Sequence, residues 1–188
     1  MTQPNLLVFA DLTKQQFQYG GQKYALTETK ESTDVLFDDF SYKWLLGTIA
    51  KYIKRFNNLK RERDLLKIAT YCYILWLKRG FHIKTVGVDE PVNTTVKIKE
   101  ENFNTFLNFF RSFWVSQAHD YYKDVNLIYE QMQLWSEQGW LAIDEEGIFS
   151  VYALAFNVWK ENFSEKAGQD TDTYLEKDST TDSVNQKC

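Results

Sequence analysis

The sequence predicts a mainly α-helical fold, a bundle of four to five helices with a small β contribution. Two observations carry this reading. Only two prolines and eight glycines interrupt 188 residues, which favours long helices over a many-turned sandwich. Apolar residues also recur at helical spacing through most of the chain's middle. An α+β fold is the alternative.

The first segment reads as β. Leu6-Leu7-Val8-Phe9 is a short apolar run. Phe17 and Tyr19 alternate with glutamines, and Gln22 to Leu26 continues the alternation after Gly20-Gly21. Alternation around a Gly-Gly pair signals a hairpin, because its turn residues need positive φ. Residues 5–27 are therefore expected to form an N-terminal β-hairpin, and the polar, acidic stretch Thr27 to Asp39 a loop.

From Ser41, an N-cap candidate, the period changes. Leu45, Ile49, Tyr52, Ile53 and Phe56 share one side of a helix, with Lys43, Lys51 and Lys54 opposite. Asn57-Asn58 stops it. A second helix runs from about Lys60 to Arg79. It is apolar nearly all round, the mark of a central core helix. Lys78 and Arg79 suit the negative end of its dipole, and Gly80 suits C′. Residues 41–80 form a basic helical hairpin in this reading, and 102–138 a second one.

Phe81 to Val88 and Val92 to Lys99 are candidate strands. Phe103, Phe106, Leu107, Phe110, Phe113 and Trp114 form one face of a third helix. Val125, Ile128, Met132 and Trp135 mark a fourth, from about Tyr121 to Glu137. Residues 140–163 read in two ways. Trp140 to Val151 is a β-hairpin around Asp144-Glu145-Glu146-Gly147, or a fifth helix starts near Ile148 and runs through Ala155 and Trp159 to Phe163. Residues 1–163 are expected to be one globular domain. Residues 164–188 are acidic and Ser/Thr-rich and cannot bury enough surface to offset their ordering entropy, so a disordered tail is expected. Trp76-x-x-x-Gly80-Phe81 and Trp135-x-x-x-Gly139-Trp140 echo each other, but two matched positions do not make a repeat.

The functional pointer is charge asymmetry. Between Lys43 and Lys84 stand eleven Lys/Arg and two acids, a net +9, against −13 over the remainder. Such a block inside an acidic protein points to a polyanionic ligand. Lys43, Lys51, Lys54, Arg55, Lys60, Arg61, Arg63 and Lys67 are the candidate anion-binding residues. Lys51, Lys54, Arg55, Arg61 and Arg63 are expected to contribute most. Tyr42, Tyr52, Phe56 and Tyr71 are interleaved with them. Exposed rings there would stack on unpaired bases, but their spacing favours a core role.

Other chemistry is thinly supported. His82 and His119 are the only histidines, and no ligand stands at metal spacing to either. Asp38-Asp39 and Asp144-Glu145-Glu146 fall in expected turns. There is no P-loop and no G-x-S-x-G elbow. Cys72 and Cys188 do not form a disulfide framework, which suggests a reducing compartment. No signal peptide and no spanning segment is evident. We expect a cytoplasmic protein without metal or cofactor that does not contact membranes.

Two resemblances bear on function. Helix, strand, acidic turn and strand over 121–151 resemble the last helix and wing of a winged-helix module. Asp124, Glu130 and Glu137 against Lys123 would repel phosphate, so that resemblance implies protein contact. Phe56-Asn57-Asn58-Leu59 followed by Arg61-Glu62-Arg63-Asp64-Leu65-Leu66-Lys67-Ile68-Ala69-Thr70-Tyr71 loosely resembles the helical hairpin of all-α nucleoside triphosphate pyrophosphohydrolases, over about 30 of the 188 residues. That family holds magnesium with an E-x-x-E helix and an E/D-D-L-x-D-x-A stretch. Here the first helix has no acid and Lys67 replaces an expected ligand, so the resemblance implies a hairpin without catalysis. The expectation is a non-enzymatic nucleic-acid-binding protein or nucleoprotein-complex subunit, with an adaptor for an acidic protein partner as the alternative.

Overall fold

The computed structural model describes residues 4–24, 32–81, 101–116 and 123–165. Among these the chain forms six α-helices: α1 (Pro4–Tyr24), α2 (Ser32–Leu59), α3 (Glu62–Lys78), α4 (Glu101–Ser116), α5 (Leu127–Glu137) and α6 (Glu145–Phe163). A 3-10 turn at Trp140–Ala142 is the remaining element. No strand occurs among the described residues, so the expected β contribution is corrected.

The N-terminal β-hairpin is the clearest correction. Residues 4–24 form the single helix α1. Leu6, Phe9, Ala10, Thr13 and Phe17 are its buried positions. They stand at i, i+3, i+4, i+7 and i+11, a helical stripe that the local alternation at Phe17 and Tyr19 masked. Residues 32–39, expected in a loop, are helical and belong to α2, which is interrupted at Ser41 (φ 58°, ψ −154°). This backbone geometry is essentially a glycine conformation, and it breaks the helix where the sequence reading placed a helix start.

The C-terminal segment is a helix, as the rival reading had it, and the wing is absent. Asp144 is not in a hairpin turn. It is the N-cap of α6, and its Oδ1 accepts from the Gly147 N–H at 2.9 Å. Gly147 must be glycine for steric reasons. A Cβ there would press on that capping oxygen, would lie 2.7 Å from Gln131 Nε2 and would lie 2.8 Å from the Trp135 ring. Gly147→Ala is expected to destabilise by about 1–2 kcal/mol, because a displaced cap and overpacking outweigh the helix propensity gained. Urea denaturation of the two forms checks it.

Helix α3 is the spine that its apolar circumference predicts. It packs against α6, α2, α1 and α4, with Leu65, Ile68, Ala69, Tyr73 and Trp76 wholly enclosed. Its C-terminus closes as expected: Gly80 adopts φ 74° and its N–H donates to Leu77 O at 2.8 Å. Gly139 does the same after α5, with φ 78°. The Trp/Gly echo therefore reflects two helices ended by left-handed glycines.

The high aromatic content is spent on a continuous ring cluster between α1, α3, α4 and α6. Phe9 meets Tyr152 and Trp159, Tyr73 meets Phe103 and Phe106, and Phe110 lies edge-on to Tyr152 at 4.6 Å. Of the expected core, Trp114 and Met132 are only partly buried. The indole N–H groups that enter this core find acids: Trp76 donates to Glu145 at 2.8 Å and Trp159 to Glu62 at 2.7 Å. The strands expected at 81–88 and 92–99, apart from the helical Phe81, and the tail beyond Glu165 lie outside the described residues. No helix among the described residues is long and apolar enough to cross a membrane.

Candidate anion-binding groove

Helices α1 and α2 both lie against α3. A groove of about 240 Å3 runs along α3 between them. Its α2 wall carries Trp44, Thr48, Lys51 and Tyr52, which recur at three- and four-residue intervals and so share a face. Its α3 wall carries Arg63, Lys67, Thr70, Tyr71 and Ile74 on the same period. The end of α1 supplies Gln16, Phe17, Tyr19 and Gly20. Three cations line the groove, and no carboxylate stands among its described lining residues.

The cations are held against rings. Lys67 Nζ lies 4.9 Å from the centre of the Tyr52 ring and Lys51 Nζ 5.3 Å from it. The Arg55 guanidinium lies 5.7 Å from the same centre. Each contact is favourable by roughly 0.5–1 kcal/mol at an accessible site. Two of these cations, Lys51 and Lys67, also line the groove, where an incoming anion would meet them. On the α1 side, Gln16 Oε1 accepts from Arg63 Nε at 3.2 Å, and the guanidinium sits 5.2 Å from the Tyr19 ring centre. Tyr52 stacks on Tyr71 with their planes 22° apart, and Trp44 stands edge-on to Tyr71.

The eight cations singled out from sequence do not converge on one point. Lys51, Arg63 and Lys67 line the groove. Arg55 lies beside it, its Nε 3.5 Å from Asp64 Oδ1. Lys43, Lys54, Lys60 and Arg61 are exposed outside the groove. Lys60 takes a left-handed conformation (φ 49°) in the α2–α3 turn, its ammonium 5.0 Å from the Phe56 ring centre. Among the interleaved aromatics, Phe56 and Tyr52 are core residues, and Tyr42 reaches Lys78 O at 3.4 Å. Tyr71 is half-buried and lines the groove.

The α1 contribution was hidden by the hairpin reading. Thr48 and Thr70 carried a legible signal, since each sits three residues from a singled-out cation, and Trp44 sits four residues before Thr48.

The two acids of the basic segment serve the fold. Glu62 accepts the Trp159 indole N–H. Asp64 is buried in the first turn of α3, with Oδ2 lacking a hydrogen-bond partner. Desolvation raises its pKa above 3.8, against the opposing pull of Arg55, Lys67, Arg61 and Arg63. A raised folded-state pKa means that the native protein binds the proton more readily than the unfolded chain. Stability from this group is fully present below about pH 3.8 and is lost as pH rises through the higher folded value. Asp64→Asn removes that titration. The wild-type melting temperature, measured relative to the Asn variant, is expected to fall as pH is raised from about 4. A difference that stays constant or widens with pH would contradict the assignment.

Among the described residues no group of three or more His, Cys, Asp or Glu is placed to hold a metal ion. Cys72 is fully buried, and burial pushes its thiol well above the ordinary range. The described residues form an all-helical architecture with a cation-lined, ring-walled groove. No protein-family model, curated protein or solved structure matches the chain.

Proposed function

We propose that this protein is a non-enzymatic nucleic-acid-binding protein that contacts phosphates through the α2–α3 face. The observation that carries the reading is the groove, where Lys51, Arg63 and Lys67 meet without a carboxylate among the described lining residues. Lys54, Lys60 and Arg61, exposed outside the groove, extend the positive surface for further phosphates. Clustered cations of this kind bind a phosphate backbone by releasing its condensed counterions.

The test is fluorescence anisotropy of labelled single- and double-stranded oligonucleotides over a salt series. Three to six phosphate contacts predict that log K falls linearly with log salt, with a slope of about −2 to −4 for a single strand. Binding that does not respond to salt overturns the reading. So does a tight protein partner that survives nuclease treatment while no oligonucleotide binds.

A further inference from the structure

We propose that the groove between α1, α2 and α3 takes one unpaired nucleotide, its phosphate held by Lys51, Arg63 and Lys67 and its base against the aromatic walls. This rests on the nucleic-acid reading and narrows it. The protein selects unpaired strands, and one nucleotide enters the fold while its neighbours follow the outer surface.

The lining separates this ligand from simpler anions. A site for bare phosphate needs only cations and N–H donors. This groove combines its cations with the rings of Tyr19, Trp44, Tyr52 and Tyr71. Planar rings beside cations match a ligand that is aromatic at one end and anionic at the other. An acidic peptide would use the charge and leave the rings without a role. A paired base is unavailable to such rings, since its faces are covered in the duplex stack.

The polar groups of the groove fit a base edge. Thr48 Oγ1 donates to Trp44 O at 2.9 Å, and Thr70 Oγ1 donates to Leu66 O at 2.8 Å. With their hydrogens turned to their own helix, both hydroxyls face other groups as acceptors. Gln16 spends its carbonyl on Arg63, which turns its amide hydrogens into donors. Base edges carry both donors and acceptors. The size agrees as well. About 240 Å3 lies below the roughly 300–1,000 Å3 of pockets for drug-sized ligands, which suits one unit of a strand.

Gly20 supplies a probe that leaves every cation in place. It lines the groove, and a Cβ built there meets nothing within 4 Å. Gly20→Leu therefore fills the groove from α1 at a helical position where a larger residue is tolerated. The experiment measures the full chain's affinity for three labelled probes of equal length: a single-stranded oligonucleotide, an abasic oligonucleotide with the same phosphates, and a duplex. Wild-type protein is expected to bind the base-bearing strand roughly tenfold or more tighter than the abasic one, since a stacked base contributes measurably. Gly20→Leu, shown folded by circular dichroism, is expected to bring that ratio close to one. Tyr71→Leu is expected to shrink the ratio in the same direction, and it serves as the readout should Gly20→Leu not fold. Equal wild-type affinity for abasic and base-bearing strands overturns the inference and leaves the phosphate-binding reading standing. An unchanged ratio in the folded variants, or duplex binding as tight as single-strand binding, also overturns it. Absence of binding to all three probes overturns both readings.

Discussion

Replacing Trp76 with alanine is expected to destabilise the protein by about 3–5 kcal/mol, the range for truncating a buried indole. Trp76 is wholly enclosed, stacks on Tyr73 with planes 23° apart and meets Phe106 edge-on at 5.5 Å. Its Nε1–H also donates to Glu145 at the start of α6. The substitution therefore opens a cavity in α3 and removes a bond tying α3 to the α6 N-terminus. Since whole domains are stable by only about 5–15 kcal/mol, much of the population is expected to unfold under mild denaturant. Trp76→Phe separates the two terms. It keeps most of the packing and loses the N–H, so it should cost about 1–3 kcal/mol for the carboxylate left short of a donor. Circular dichroism in a urea series measures both. A loss below 1 kcal/mol for the alanine form would contradict the placement of α3 as the spine.

The second large effect concerns binding. Reversing Lys51, Arg63 and Lys67 together to glutamate is expected to weaken single-strand affinity at least 100-fold. Three cations near an anionic surface contribute on the order of 1 kcal/mol each, and 1.4 kcal/mol is a factor of ten. Reversal adds repulsion to the loss. The same triple change at the outer cations Lys43, Lys54 and Lys60 should cost less, because Arg63 and Lys67 are half-buried in the groove whereas all three outer side chains are exposed and more strongly screened. Equal losses from the two triple variants would remove the groove's special role. Arg55 belongs in neither set. Its removal would leave the buried Asp64 carboxylate without its ion-pair partner, so lost stability would obscure any lost affinity.

The part of α2 beyond Ser41 and helices α3, α4 and α5 were legible because their apolar residues repeat at one period over several turns. Helix α3 was legible as the central element because Leu65, Ile68, Cys72, Leu75 and Trp76 leave so narrow a polar strip. The N-terminal helix was missed because local cues pointed the other way. Gly20-Gly21 flanked by alternating residues is a hairpin pattern within its own window. It was overridden by the long-range burial of Phe9, Thr13 and Phe17, since tertiary packing outweighs local turn preference. The acidic tetrad 144–147 was ambiguous for a related reason. Asp and Gly suit a turn, yet an acid followed three residues later by a glycine under a tryptophan also makes a helix cap, and only the contact with Trp135 distinguishes the two.

By itself, the chain's order of residues determined that its positive charge would be concentrated on two consecutive helices, because charge is counted along the chain. It also determined that one of these helices would be central, because a nearly all-round apolar surface must be covered. The tertiary structure decided which cations stand together. Lys51, Arg63 and Lys67 share a groove, while Lys43 and Lys54 face outward and Arg55 is drawn to Asp64. It also decided that α1 would supply the third wall. That assignment depends on residues far apart in sequence being pressed onto α3, and local periodicity carries no record of which helix comes to rest beside which.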